Sequence, residues 1–266
     1  MGNEWQDKVV EFCERYDIPI LYLADTLYEP KVIPMIRGKA FEFSAVLRLE
    51  EILPKNEWKI YKVNVGEEVT FHDTDIRVLH KRTGKVIRVE CKLAQKEGYR
   101  QLPNGHVIRV KCMRSRTLGE AKVKELAPKL GVDPGLLLIH NDQYVSADFD
   151  VVVTSIGNTF YRTDKKTGLT HFDPTKSELD FLSSTNPSSG ENPKDFAFQR
   201  IYIARSVDLA VRPDNAVVCS RRKCPDKNGC GFIPNYPIIQ FDAKGTPING
   251  WIPIEESVNL FRRFIS

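Results

Sequence analysis

The stretch from Asp75 to Lys92 constrains the fold more than any other part of the chain. Asp75 to His80 alternates apolar and polar residues, Val86 to Lys92 is rich in residues that favour extended backbone, and Thr83-Gly84 between them is a turn signal. Two such runs joined by a short glycine-bearing loop read as an antiparallel hairpin. Side chains alternate faces along an extended chain, so Glu90 and Lys92 project to the same side. Asp75 begins the first strand and Glu90 ends the second, which makes them neighbours across the hairpin. The hairpin therefore gathers two carboxylates and an ammonium among Ile76, Val78, Val86, Ile87 and Val89.

The flanking sequence predicts what surrounds it. Trp5 to Tyr16 has the apolar spacing of one helix face, and Lys39 to Ile52 has another stripe in Phe41, Ala45, Leu49 and Ile52, closed by Pro54. Trp58 to Val63 reads as a strand. After the hairpin, a polar loop carrying Gln95, Tyr99 and Pro103-Asn104-Gly105 leads to a strand from His106 to Met113. Thr117 to Leu130 is predicted helical, N-capped near Ser115 or Thr117 and ended by Gly131. Leu136 to Ile139 and Phe149 to Ser155 read as further strands. The order helix, three antiparallel strands, helix, strand implies an α/β core with a mixed central sheet flanked by helices, followed by a C-terminal mixed extension. Gly157 to Lys194 is polar, Ala197 to Val211 is β-like or mixed, Pro213 to Pro237 is irregular, and Ile254 to Ile265 is a short helix. A soft boundary near Gly157 separates residues 1–156 from residues 157–266, and 266 residues suit either one large domain or a core with an extension.

Two close carboxylates repel, and each is costly to bury unpaired. A divalent cation resolves that conflict, and magnesium prefers oxygen ligands while keeping waters of its own. Such an ion can activate a water and hold a phosphate oxygen, with Lys92 beside it to position the water or stabilise developing charge. Asp75, Glu90 and Lys92 are thus a minimal set of parts for phosphodiester hydrolysis.

Asp75 followed by Glu90-Cys91-Lys92 resembles the PD-(D/E)XK nuclease superfamily, which includes most type II restriction enzymes. The predicted element order over about Ile33 to Ser155 is similar to that family's core. The family often carries a glutamate on the helix before the sheet in a Gly-x-x-x-Glu setting, and Gly38-Lys39-Ala40-Phe41-Glu42 stands there. The resemblance implies that Glu42 is a further metal ligand, direct or through water, with Mg2+ as cofactor and Mn2+ as its substitute. The family's proline before the aspartate is replaced by Thr74, and Asp73, two residues from Asp75, is the alternative ligand. The implied activity is that of a type II endonuclease cleaving double-stranded DNA, working as a homodimer. The alternatives are a repair or Holliday-junction nuclease on the same core, or a non-catalytic DNA-binding protein of this fold.

The remaining charge fits that expectation without demanding it. A net charge of +4 permits a polyanionic partner. Arg109, Lys111, Arg114 and Arg116 cluster just after the catalytic strands and suit phosphate contacts, while Lys122, Lys124 and Lys129 are equally well read as a solvated helix face laced with Glu120 and Glu125. Arg221, Arg222 and Lys223 are candidates for reaching a DNA groove. They sit inside Cys219-x4-Cys224-x5-Cys230, a trio that lacks a fourth ligand nearby, so buried or loop thiols are expected in preference to structural Zn2+. His106, His140 and His171 stand alone and suggest only local hydrogen bonding, and Asp148 and Asp150 read as solvated carboxylates at a strand edge. No apolar run approaches the roughly 18 residues needed to cross a bilayer, and Met1 to Asp17 lacks the layout of a secretory signal, so a cytoplasmic protein with reduced thiols and no membrane partner is expected.

Overall fold

The computed structural model describes residues 4–62, 74–185 and 199–266. Three helices lead in, α1 (Glu4–Arg15), α2 (Ile20–Leu27) and α3 (Val32–Ile52), followed by strand β1 (Trp58–Lys62). Then come β2 (Ile76–His80), β3 (Val86–Leu102) and β4 (Gly105–Val110). Helices α4 (Glu120–Leu130) and α5 (Pro134–Ile139) precede β5 (Val151–Ser155). A small hairpin, β6 (Tyr161–Thr163) and β7 (Thr170–Phe172), and helix α6 (Lys176–Thr185) follow. The chain closes with β8 (Ile201–Arg205), α7 (Ser206–Leu209), β9 (Ile238–Asp242), β10 (Ile252–Pro253) and α8 (Ser257–Arg262).

The expected order is present: α3, the antiparallel β1–β2–β3 ladder, α4, and then β5 parallel to β3. Among the described residues the sheet runs β1-β2-β3-β5-β8-β10, and β4 and β9 branch from the far end of β3. β3 is long enough to serve two neighbours. Its first half lies between β2 and β5, and its second half turns to pair with β4 after a register shift between Ala94 and Tyr99. That irregularity curls the sheet, as a bulge bends the strand that carries it. Gln95 and Tyr99, expected in a loop, therefore lie within a strand.

Each face of the sheet has its own core. Phe41, Ala45 and Leu49 of α3 pack on Ile76, Val78, Ile87, Val89, Val151 and Val153, with Trp58 and Phe261 closing that layer. The opposite face packs Val152, Ile108 and Ala94 against Phe149, Phe160, Phe181 and Trp251. β5 is buried at all five positions because both faces are covered. The predicted stripe of α1 is real as a helix but not as a core face: Trp5, Phe12 and Tyr16 are exposed.

Two local expectations are corrected. Leu136 to Ile139 is helical, not extended, because Pro134 at the first turn and the Asp133 side chain, accepting from Leu136 N at 2.8 Å, start a helix there. A short apolar run is ambiguous by periodicity alone. α4 begins at Glu120 with Gly119 as its cap, not at Ser115 or Thr117, and ends as expected on Gly131 with φ 65°.

Candidate active site

The register of β2 and β3 brings Ile76 opposite Val89, which sets Asp75 beside Glu90 at the end of the ladder. Asp75 Oδ2 accepts a hydrogen bond from Cys91 N at 2.9 Å, fixing the carboxylate against the neighbouring strand. Glu90 is buried; its Oε1 takes the Lys92 ammonium at 2.6 Å and a hydrogen bond donated by the Tyr144 hydroxyl at 3.1 Å. Lys92 also lies 5.3 Å from the centroid of the Tyr144 ring. Glu42 enters from α3, buried, with the Lys39 ammonium at 2.6 Å and the Lys62 ammonium at 2.9 Å. Lys39 reaches on to Asp75 Oδ1 at 4.0 Å, so one ammonium links the helix carboxylate to the strand carboxylate. The sequence-predicted Asp75, Glu90, Lys92 and Glu42 are thus brought together, while Asp73 lies outside the described residues.

The electrostatics of this cluster are strained. Burial first, then repulsion by Glu90 and Glu42, pushes the Asp75 carboxyl up to about 7. Burial works to lower the Lys92 ammonium, but Glu90 and Tyr144 outweigh it and hold it well above the usual lysine value. Burial and the adjacent carboxylates raise the Cys91 thiol, which keeps it neutral in the α3-side core. The donors gathered here are carboxylate oxygens, and Asp75 lies against two other acidic side chains. That donor chemistry fits a hard divalent cation.

Three members of the cluster escaped sequence reasoning. Lys39 precedes Glu42 by three residues, the spacing of neighbours on a helix, so it was within reach of the sequence. Lys62 and Tyr144 arrive from the end of β1 and from the turn after α5, and no local pattern marks them.

The basic candidates divide. Arg109, Lys111 and Arg116 are exposed, as phosphate-binding residues must be. Arg114 departs from expectation. It is 7% exposed, its guanidinium pairs with Asp148 at 2.6 Å, and its Nε donates to the Gln143 carbonyl at 2.9 Å. Asp148 is correspondingly not solvated, and Asp150 is half-buried and paired. Asp148 is 2% exposed and also accepts from Val145 N, and Asp150 takes Arg88 through Nε and Nη2, both at 3.1 Å. Arg221 is half-buried and bound to Asp142, whereas Arg222 and Lys223 are exposed. His140 is not isolated: it is fully buried and faces Cys219, Cys224 and Cys230. The fourth partner missing from the cysteine trio lies 79 residues before Cys219 in the chain, beyond any spacing rule.

No helix among the described residues is long and apolar enough to cross a membrane. No protein-family model matches the sequence, and no curated protein matches it. Among solved structures the chain is similar to a bacterial homing endonuclease, with a TM-score of 0.21 and 14% identity, over 55% of this chain and 67% of that one.

Proposed function

We propose that the chain is a magnesium-dependent endonuclease acting on double-stranded DNA, a member of the PD-(D/E)XK superfamily that works as a type II restriction enzyme. The observation that carries this reading is the convergence of Asp75, Glu90 and Glu42 on one end of the β2–β3 ladder, with Lys92 held against Glu90 and the Asp75 carboxyl raised by burial and by its acidic neighbours Glu90 and Glu42. Asp75 and Glu90 are the ligands in this scheme, and Glu42 adds a third carboxylate from α3. A magnesium ion bound there supplies Lewis acidity toward the phosphate and an activated water. Glu90 stabilises the Lys92 ammonium, which suits Lys92 to donate to the phosphate or the water. Tyr144 orients Glu90, and Cys91 N orients Asp75.

Residues 157–266 are assigned to target recognition or dimer contact in this reading. Arg222 and Lys223 are the candidate base readers, because Arg221 is already engaged by Asp142. Cutting both strands takes two hydrolyses, which a homodimer supplies with one centre each.

Digestion of supercoiled plasmid with Mg2+ tests the proposal. Asp75→Ala, Glu90→Ala and Lys92→Ala are each expected to lower cleavage by about 10²-fold or more while leaving circular dichroism unchanged. Near-normal turnover in any one of the three rejects the assignment, and Mn2+ is expected to restore activity where Mg2+ is withheld.

A further inference from the structure

We infer that His140, Cys219, Cys224 and Cys230 form a structural zinc site that fastens the end of α5 to the irregular segment 213–237. Four nitrogen and sulfur ligand atoms, one from each residue, lie within 4.8 Å of one another, and all four residues are buried. A tetrahedral zinc with Zn–S near ~2.3 Å and Zn–N near ~2.0 Å needs its ligands roughly 3.5 to 3.8 Å apart, so a small contraction closes the shell. All three thiols are free, and an odd set cannot pair off as disulfides.

The imidazole is prepared for this role by its surroundings. His140 Nδ1 and Arg221 Nε both point at the same Gln143 side-chain atom. An arginine can only donate, so that atom is the amide oxygen, and Nδ1 of His140 must carry the proton. Nε2 is then the unprotonated lone pair, buried and without a hydrogen-bond partner among the described residues. A metal-bound histidine is oriented in this way, its other ring nitrogen donating to a fixed oxygen. Phe232 stacks on the ring at 4.1 Å with 9° between planes, which fixes its direction. Arg221 N lies 3.4 Å from Cys219 Sγ, a backbone donor aimed at the sulfur.

The charge and the packing agree with a closed structural site. Three thiolates and one zinc leave a net charge of −1, and Arg221, Arg222, Lys223 and Lys227 lie in the same loop. Around the thiols the core is a small one, Val123, Leu126, Leu137, Val145, Val211 and Phe232, and the segment they hold lacks regular structure. Magnesium does not compete for such a site, since it takes oxygen ligands.

Elemental analysis of the protein purified under reducing conditions without added metal is expected to find one zinc per chain. Cobalt substitution is expected to give the visible and sulfur charge-transfer bands of a tetrahedral thiolate site. Cys219→Ser and Cys230→Ser are expected to lose stoichiometric metal. Should those variants fail to fold, wild-type protein stripped by a chelator and refilled with Zn2+ or Co2+ provides the same readout. Less than a tenth of an equivalent of zinc as purified, together with no cobalt thiolate bands on refilling, overturns the site. So does full zinc content in both folded serine variants. These readouts do not depend on DNA cleavage, so failure here leaves the nuclease reading intact, and the reverse holds too.

Discussion

Asp75 carries the sharpest conflict in the molecule. Burial and the neighbouring Glu90 and Glu42 push its carboxyl up to about 7 from 3.8 for the ordinary side chain. Between those values the unfolded chain has released a proton that the folded chain keeps, so stability falls as pH rises through this window. In buffer without divalent metal, Asp75→Asn should therefore raise stability at pH 8 by about 1 to 3 kcal/mol and have little effect at pH 4. The amide oxygen of the new side chain can still accept from Cys91 N, so the gain is electrostatic and not a matter of packing. Thermal melts of both proteins across that range decide it, and an advantage of the variant that does not grow with pH would contradict the raised carboxyl. Magnesium should reverse the order, stabilising the native protein and not the variant. Arg114 offers the opposite case. Its ion pair with Asp148 is buried, so Arg114→Ala leaves a carboxylate unmatched and should cost about 3 to 5 kcal/mol. Arg114→Met combined with Asp148→Leu should cost much less, since neither charge is then stranded. Denaturant melts of the two proteins test this, and a mild single variant would mean that Asp148 finds another partner.

At the scale of elements, the joint between β4 and β9 depends on one glycine. Gly105 opens β4 opposite Asp242, and a Cβ there would overlap the Phe241 carbonyl oxygen. Backbone cannot step aside as a flexible side chain can, so Gly105→Ala should separate the strands locally and cost about 2 kcal/mol or more. Hydrogen exchange should show it first, as lost protection of Ile108 and the residues paired with it in β9. Protection equal to that of the native protein would show that the ladder shifts register instead. The elements most legible from sequence were those with strong periodicity or punctuation: the β2–β3 hairpin, α3 and the glycine end of α4. The least legible were β9 and β10, which are short and are held by partners far away in the chain.

Across the whole molecule the exposed cations define the test for nucleic acid. Arg109, Lys111 and Arg116 follow the strands of the candidate active site and face solvent. Replacing each should lower the slope of log K against log salt by about 0.9 on duplex DNA. Arg114 should leave that slope unchanged in any variant that folds, because its guanidinium is committed to Asp148. Binding isotherms at several salt concentrations measure this, and an unchanged slope in the triple variant would move the DNA to another face.

The sequence by itself determined the β2–β3 hairpin and its charged cluster, because strand alternation and a single turn fix which residues share a face, and those are local facts. It also determined the order of the core elements and that a carboxylate on α3, Glu42, belongs to the cluster. Tertiary structure alone decided which charges are buried and paired. Arg114 and Asp148 look like surface residues in the sequence and become an interior ion pair only when β5 and the turn after α5 close around them. It decided likewise that His140, set at the end of a helix that the sequence reads as a strand, meets three cysteines some eighty residues onward. Such contacts depend on long-range packing, and no periodicity within a segment encodes a partner that lies outside it.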